Sequence, residues 1–164
     1  MFKVIDNFLD KKTFKEIQAG ILTNKYFPWY FSPYLDFKDE EGFDKTQFAH
    51  VFYNQDSPNS EHLKLLTPII QKLKCISLIK IKVNNTYYTN KIIEGSYHVD
   101  FTHKGTTTAV YYLNTNNGYT KFKKTKKKIY SVENRMVIFN TDTKHLGTTT
   151  TNEKRRVVLN FNYF

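Results

Sequence analysis

The run Arg155-Arg156-Val157-Val158-Leu159-Asn160-Phe161-Asn162-Tyr163-Phe164 alternates apolar and polar side chains with the period of two that marks a strand. Its odd positions, Val157, Leu159, Phe161 and Tyr163, form an apolar face, and its even positions, Arg156, Val158, Asn160 and Asn162, a mostly polar one. Successive side chains of a strand point to opposite sides of the sheet. If the apolar face meets helices, the polar face lines an interior, with Arg156 pointing into that lumen and Arg155 elsewhere. A guanidinium enclosed without a partner is costly, so an anion is its expected occupant. The planar fork suits a carboxylate in a bidentate way that Lys cannot imitate. Only three of the 25 basic residues are Arg (Arg135, Arg155 and Arg156), which favours a geometric requirement at this place.

Moving upstream, further β-branched and aromatic runs cover 78–83, 94–101, 106–113, 119–122, 129–132 and 135–140, separated by Asn-, Gly- and Thr-rich turns. Such spacing predicts an all-β sandwich or barrel. Two more strands are expected at Phe2–Ile5 and Gln47–Tyr53. A helix follows Asp10, a good N-cap, with Phe14, Ile17, Ile21 and Leu22 at helical spacing. A second helical region, Ser60 to Lys74, is expected to break at Thr67-Pro68, with Thr67 capping and Pro68 in the first helical position. The fold class is mainly β, with the helices packed on one sheet. The acidic stretch Asp36 to Thr46 reads as an exposed loop and a candidate lid.

A chain of 164 residues has room for a single domain: residues 1–77 as helical support and first strands, residues 78–164 as the core. With 14 Phe, 12 Tyr and one Trp it is too aromatic to be disordered, and no apolar stretch is long enough for a membrane helix. The first residues do not suit a secretory signal, and one cysteine, Cys75, makes no internal disulfide. These features predict a cytoplasmic, monomeric protein with no membrane partner. The net charge of +10 raises the prior for a polyanion. Because the excess is nearly all Lys, in a chain also rich in Asn, Ile, Tyr and Phe, coding bias explains it equally well.

His98-Val99-Asp100 carries the candidate chemistry. Residues at i and i+2 of a strand share a face, so imidazole and carboxylate can bind one ion, with Tyr97, Val99 and Phe101 on the opposite, apolar face. His-x-Asp alone is a weak signal and needs a third ligand, for which His145, just after the apolar run Met136 to Phe139, is the candidate. Two His and one carboxylate form the facial triad of non-haem Fe(II) oxygenases. His50, His62 and His103 lack such a context and are assigned surface or core roles.

This set, with Arg156 following His145 on the last strand, resembles the Fe(II)- and 2-oxoglutarate-dependent oxygenases of the prolyl 4-hydroxylase type. The resemblance covers about Ile79 to Phe164 and rests on Tyr97-His98-Val99-Asp100, Thr108 to Asn114, Gly118 to Phe122, Asn134 to Phe139, His145 and Arg156 to Phe164. Tyr111-Tyr112-Leu113-Asn114 and the ending from Arg156 to Phe164 are similar to the hypoxia-sensing prolyl hydroxylases, and the compact, Asn/Lys-rich style to short phage or bacterial members. The resemblance implies a double-stranded β-helix (jelly roll) in which His98, Asp100 and His145 hold Fe(II). Arg156 would clamp the distal carboxylate of 2-oxoglutarate, Tyr112 would hydrogen-bond the same group, and Asn160 would line the lumen. It further implies O₂ as cosubstrate, succinate and CO₂ as coproducts, ascorbate as a candidate reductant, and a prolyl residue of a peptide or protein as substrate. Gly118-Tyr119 departs from the Gly-Gly common in the family, and the loop from Asp100 to Thr106 is short.

Other substrates for the same chemistry are a free amino acid, another protein side chain or a nucleobase. A second function class is a nucleic-acid-binding β domain, with the six Lys of Lys121 to Lys128 as contact strip and Phe122 and Tyr130 stacking on bases. Against it stands a solvated Lys-rich hairpin. A third class is a structural jelly roll with an accidental triad.

Overall fold

The alternation along the last strand sets the architecture, as a computed structural model describing residues 2–35, 45–103 and 105–164 shows. In chain order the elements are β1 (Phe2–Ile5), α1 (Lys11–Leu22), β2 (Tyr30–Ser32), β3 (Gln47–Asn54), β4 (Ser57–Pro58), a 3-10 helix (Glu61–Leu66), α2 (Thr67–Leu73), β5 (Leu78–Tyr87), β6 (Thr107–Tyr112), β7 (Tyr119–Phe122), β8 (Lys128–Tyr130), β9 (Arg135–Asn140), β10 (His145–Leu146) and β11 (Arg155–Tyr163). The large antiparallel sheet runs β1-β9-β6-β11-β5-β3-β2, with β4 on β3, and the small sheet runs β10-β7-β8. β11 sits mid-sheet, bonded to β6 and β5.

Parity on β11 divides the core in two. Val157, Leu159 and Phe161 join Phe14, Ile17 and Ile21 of α1 and Ile69 of α2 in one apolar cluster. On the other face Val158 joins Val110, Tyr112, Val137 and Phe139 with Phe122 and Ile129 of the small sheet. The large sheet is thus covered by helices on one side and by the small sheet on the other, the jelly-roll arrangement expected from the sequence. Each apolar side chain fully withdrawn from water contributes about 1.5–3 kcal/mol, before entropy is counted. Asn134, at φ +61°, lies in the left-handed region that Asn tolerates. Its side chain accepts from the backbone N–H of Leu9 and the hydroxyl of Tyr111 and donates to the Leu9 carbonyl, fastening the approach to α1 onto the sheet.

Asp10 caps α1 by accepting from the Thr13 N–H. Burial pushes its carboxyl up only weakly against the Thr13 hydrogen bonds, which hold it below the usual range. Several expectations need correction. Thr67 is not the N-cap of α2: it is the first residue of the helix and donates its hydroxyl back to the Lys64 carbonyl, closing the preceding 3-10 turn. The strand at 78–83 extends to Tyr87, because β11 and β3 pair it on both sides and override the poor strand preference of Asn84 and Asn85. Residues 94–101 do not form a continuous strand, since backbone pairing is confined to two bridges, Glu94 with Thr148 and His98 with His145. Of the candidate lid Asp36 to Thr46, residues 36–44 lie outside the described residues. Among the described residues no helix is long and apolar enough to cross a membrane.

Candidate metal centre and anion pocket

His98 and His145 exchange backbone hydrogen bonds in both directions, at 2.9 and 3.0 Å, so their rings leave the same side of the bridge with centroids 4.7 Å apart. Both Nε2 atoms lie 3.6 Å from Oδ1 of Asp100. The three ligand atoms all fall within 4.8 Å of one another. The other nitrogen of each ring faces a carbonyl, Nδ1 of His98 that of Ser96 at 3.0 Å and Nδ1 of His145 that of Thr143 at 2.9 Å. A carbonyl only accepts, so both Nδ1 atoms carry the proton and the Nε2 lone pairs point at Asp100, the tautomer a metal requires. Asn162 of β11 donates its amide to Oδ2 of Asp100 at 3.1 Å and to the Thr108 hydroxyl at 3.0 Å, fixing the carboxylate's orientation. Burial pushes the Asp100 carboxyl up, but the neighbouring His98 and His145 rings and the Asn162 amide outweigh burial and hold it well below the usual carboxylate range. The donor set of two imidazoles and one carboxylate, each anchored from behind, fits Fe(II).

Expected alternation along 97–101 fails in part. Val99 lines the same cavity as His98 and Asp100, and Phe101 is exposed, because without a continuous ladder nothing enforces the period of two. His98 and Asp100 nevertheless converge.

Arg156 enters the cavity from the buried end, 5% exposed. Its Nε donates to the Ser131 hydroxyl at 2.8 Å, and its terminal nitrogens lie 3.4 Å from the Thr148 carbonyl and 3.3 Å from the Thr120 hydroxyl. No carboxylate pairs with it among the described residues, and burial pulls its pKa down. Arg155 points the other way and donates to the Leu22 carbonyl at the end of α1. Gly118 packs against the arginine: a Cβ there would stand 2.5 Å from Arg156 Cδ and 2.6 Å from the Thr149 carbonyl. Gly147 has ordinary room, at 3.5 Å from Arg156 Nη1.

Tyr112 packs against the guanidinium. It is fully buried beneath Arg156, its ring 5.6 Å from the guanidinium carbon, and its hydroxyl donates to Thr120 at 2.8 Å. The hydroxyl that lines the cavity there is that of Thr120. Thr120 Oγ1 sits between the Tyr112 hydroxyl at 2.8 Å and a terminal nitrogen of Arg156 at 3.3 Å. Periodicity gave no sign of Thr120, Ser131 or Thr148; only proximity in the fold reveals them. Asn160 and Asn162 both line the cavity, as does the metal trio, in a space of about 380 Å³.

His50 and His62 lie in an aromatic cluster with Phe27, and His103 packs against Phe101 and Phe164. None of them joins the trio among the described residues. In the lysine run, Lys126, Lys127 and Lys128 sit over the rings of Tyr97, Phe2 and Tyr119. Phe122 is 1% exposed and stacked on Phe2, so it cannot stack on a base as the nucleic-acid reading requires.

Residues 85–164 match the family model of the 2OG-Fe(II) oxygenase superfamily. No curated protein matches the chain by sequence. Among solved structures, a viral collagen prolyl hydroxylase from Paramecium bursaria Chlorella virus-1, in complex with 2OG, superposes with a TM-score of 0.61 at 15% identity, over 98% of this chain and 94% of that one. A prolyl hydroxylase from Trichoplax adhaerens, bound to a peptide fragment of hypoxia inducible factor, gives 0.66 at 17% identity, over 99% and 83%. SnoN, an α-ketoglutarate-dependent non-haem epimerase of nogalamycin biosynthesis, gives 0.67 at 13% identity, over 99% and 77%. These likenesses establish the shared fold.

Proposed function

We propose that this Fe(II)- and 2-oxoglutarate-dependent dioxygenase, whose residues 85–164 match the 2OG-Fe(II) oxygenase superfamily model, hydroxylates a prolyl residue of a peptide or protein. In this reading His98, Asp100 and His145 hold the iron, and Arg156 receives the distal carboxylate of 2-oxoglutarate with help from Tyr112 and Thr120. The whole chain acts as one unit, residues 1–77 buttressing the catalytic core of residues 78–164. The reading is carried by one cavity that holds both the trio and, at its buried end, a guanidinium without a carboxylate partner among the described residues.

When bound, Fe(II) and 2-oxoglutarate together supply the oxidative chemistry, consuming O₂, releasing succinate and CO₂ and delivering one oxygen atom to a C–H bond. The protein's part is orientation and shielding. Ser96 and Thr143 carbonyls hold the imidazole tautomers, and Asn162 holds Asp100 so that Oδ1 faces both rings. Ser131 steadies the arginine from one side, leaving the fork to face the cavity. Val110 and Val158 contribute apolar wall, which limits water near the reacting centre. The prolyl assignment is supported by two of the structural relatives, whose own substrates are prolyl-containing.

The test is an anaerobic titration with Fe(II) and 2-oxoglutarate, followed by aerobic turnover with proline-containing peptides. A visible charge-transfer band, then a peptide heavier by one oxygen atom at proline, is the expected result. A band and succinate release with no prolyl peptide oxidised would leave the oxygenase and remove its proposed substrate.

A further inference from the structure

The wall of the cavity beside the trio is built by β5, whose even positions face the lumen. Lys80, Lys82 and Asn84 line it in succession, about 7 Å apart along the strand. In the sheet Lys80 stands opposite Asn162, the residue that holds Asp100, and Lys82 stands opposite Asn160. The lysines therefore flank the trio on the β5 side, whereas Arg156 stands opposite Thr86, further along the same pair of strands. Lys80 makes no ion pair among the described residues and is only half-exposed. Among the described residues of the lining, Asp100 is the single acid against Lys80, Lys82 and Arg156.

A cation on the cavity wall, opposite the residue that holds Asp100, describes a ligand with a carboxylate. The Arg156 end is already matched to the distal carboxylate of the cosubstrate, so the β5 wall addresses the second substrate. Resting on the prolyl reading above, we propose that Lys80 selects peptides carrying a carboxylate next to the target proline. The carboxylate comes either from a neighbouring Asp or Glu or from the peptide C-terminus. The protein's net charge of +10 favours the approach of such an acidic peptide.

The probes are synthetic peptides with one central proline flanked by Asp or by Asn, a Lys-flanked control, and a second pair ending in proline with a free or amidated C-terminus. Binding is read by calorimetry on the full chain loaded with Mn(II) and 2-oxoglutarate, so no turnover is needed. The acidic or free-carboxylate peptide should bind about 10-fold tighter than its neutral twin, a difference of about 1.4 kcal/mol. Lys80→Gln should erase that preference and Lys80→Arg keep it, with the Fe(II)–2-oxoglutarate band unchanged in both. Which of the two pairs shows the preference identifies the carboxylate's source. Equal binding of charged and neutral twins, or a preference that survives Lys80→Gln, overturns the proposal. So does a loss of the 2-oxoglutarate band in Lys80→Gln, which would assign the lysine to the cosubstrate. If acidic peptides bind in a Lys80-dependent way but are never oxidised at proline, charge selection stands and the prolyl reading falls.

Discussion

His98 and His145 are partners in one backbone bridge, each donating its N–H to the other's carbonyl. Two residues far apart in sequence are thereby fixed as direct cross-strand neighbours before their side chains do anything. The bridge belongs to the fold, and only the imidazoles belong to the centre. His145→Ala should accordingly leave the backbone pair and the melting transition nearly intact, while Fe(II) binding and the 2-oxoglutarate band vanish. Asp100→Ala should do the same. Anaerobic metal titration alongside thermal unfolding checks both; retained iron binding in either variant would dismiss the assignment.

Arg156 and Arg155, adjacent in sequence, should separate cleanly by function. Arg156→Lys keeps the charge but loses the fork that Ser131 steadies from one side, so KM for 2-oxoglutarate should rise by at least 10-fold, with a smaller change in kcat. Arg155→Lys removes a hydrogen bond to the Leu22 carbonyl and should leave that KM unchanged at a cost of about 1 kcal/mol in stability. Steady-state kinetics on the pair distinguishes them, and a reversed pattern would contradict the strand's orientation.

Parity on β11 was fully legible in the sequence because that strand is paired on both sides and buried on both faces, so the period of two is enforced. The same reasoning faltered at 97–101, where backbone pairing is confined to one bridge and Val99 turns into the cavity with its neighbours. The grouping of His98, Asp100 and His145 was legible from residue type and order, aided by family resemblance. The supports of the histidines, Ser96 and Thr143, and those of Arg156, Thr120 and Ser131, were not, because these are common polar residues given meaning by where the chain brings them. Asn162 was visible as a lumen residue, but its bond to Asp100 emerges only once the segment around residue 100 is folded over β11.

Gly118 and Gly147 both border Arg156, yet they should respond differently to a methyl group. At Gly118 the new carbon would overlap Arg156 Cδ at 2.5 Å and the Thr149 carbonyl at 2.6 Å, and a backbone atom cannot step aside. Gly118→Ala should cost about 1–3 kcal/mol, as overpacking typically does, and should weaken 2-oxoglutarate binding by displacing the guanidinium. Gly147→Ala meets only an ordinary contact at 3.5 Å and should be close to neutral. Denaturant unfolding of the two variants measures the difference; equal destabilisation would mean that the close fit at Gly118 is not what holds Arg156.

His50 makes stability depend on pH in a direction fixed by its surroundings. Its Nδ1 faces the Pro28 carbonyl at 2.8 Å, its Nε2 is buried without a hydrogen-bond partner among the described residues, and Phe27, Tyr30 and Phe52 surround the ring with His62 at 6.1 Å. Burial pulls its pKa down, only partly opposed by the Pro28 carbonyl, with the charge of His62 acting in the same sense as burial. The unfolded chain therefore takes up the proton more readily than the folded one. The contribution to stability is fully present above the ordinary histidine pKa of about 6.5 and is lost as pH falls below it. The melting temperature should decline between about pH 7 and pH 5, and His50→Gln, which cannot be protonated, should decline less over the same interval. Thermal unfolding of both proteins across that range decides the matter: parallel curves would show that His50 is not the group responsible.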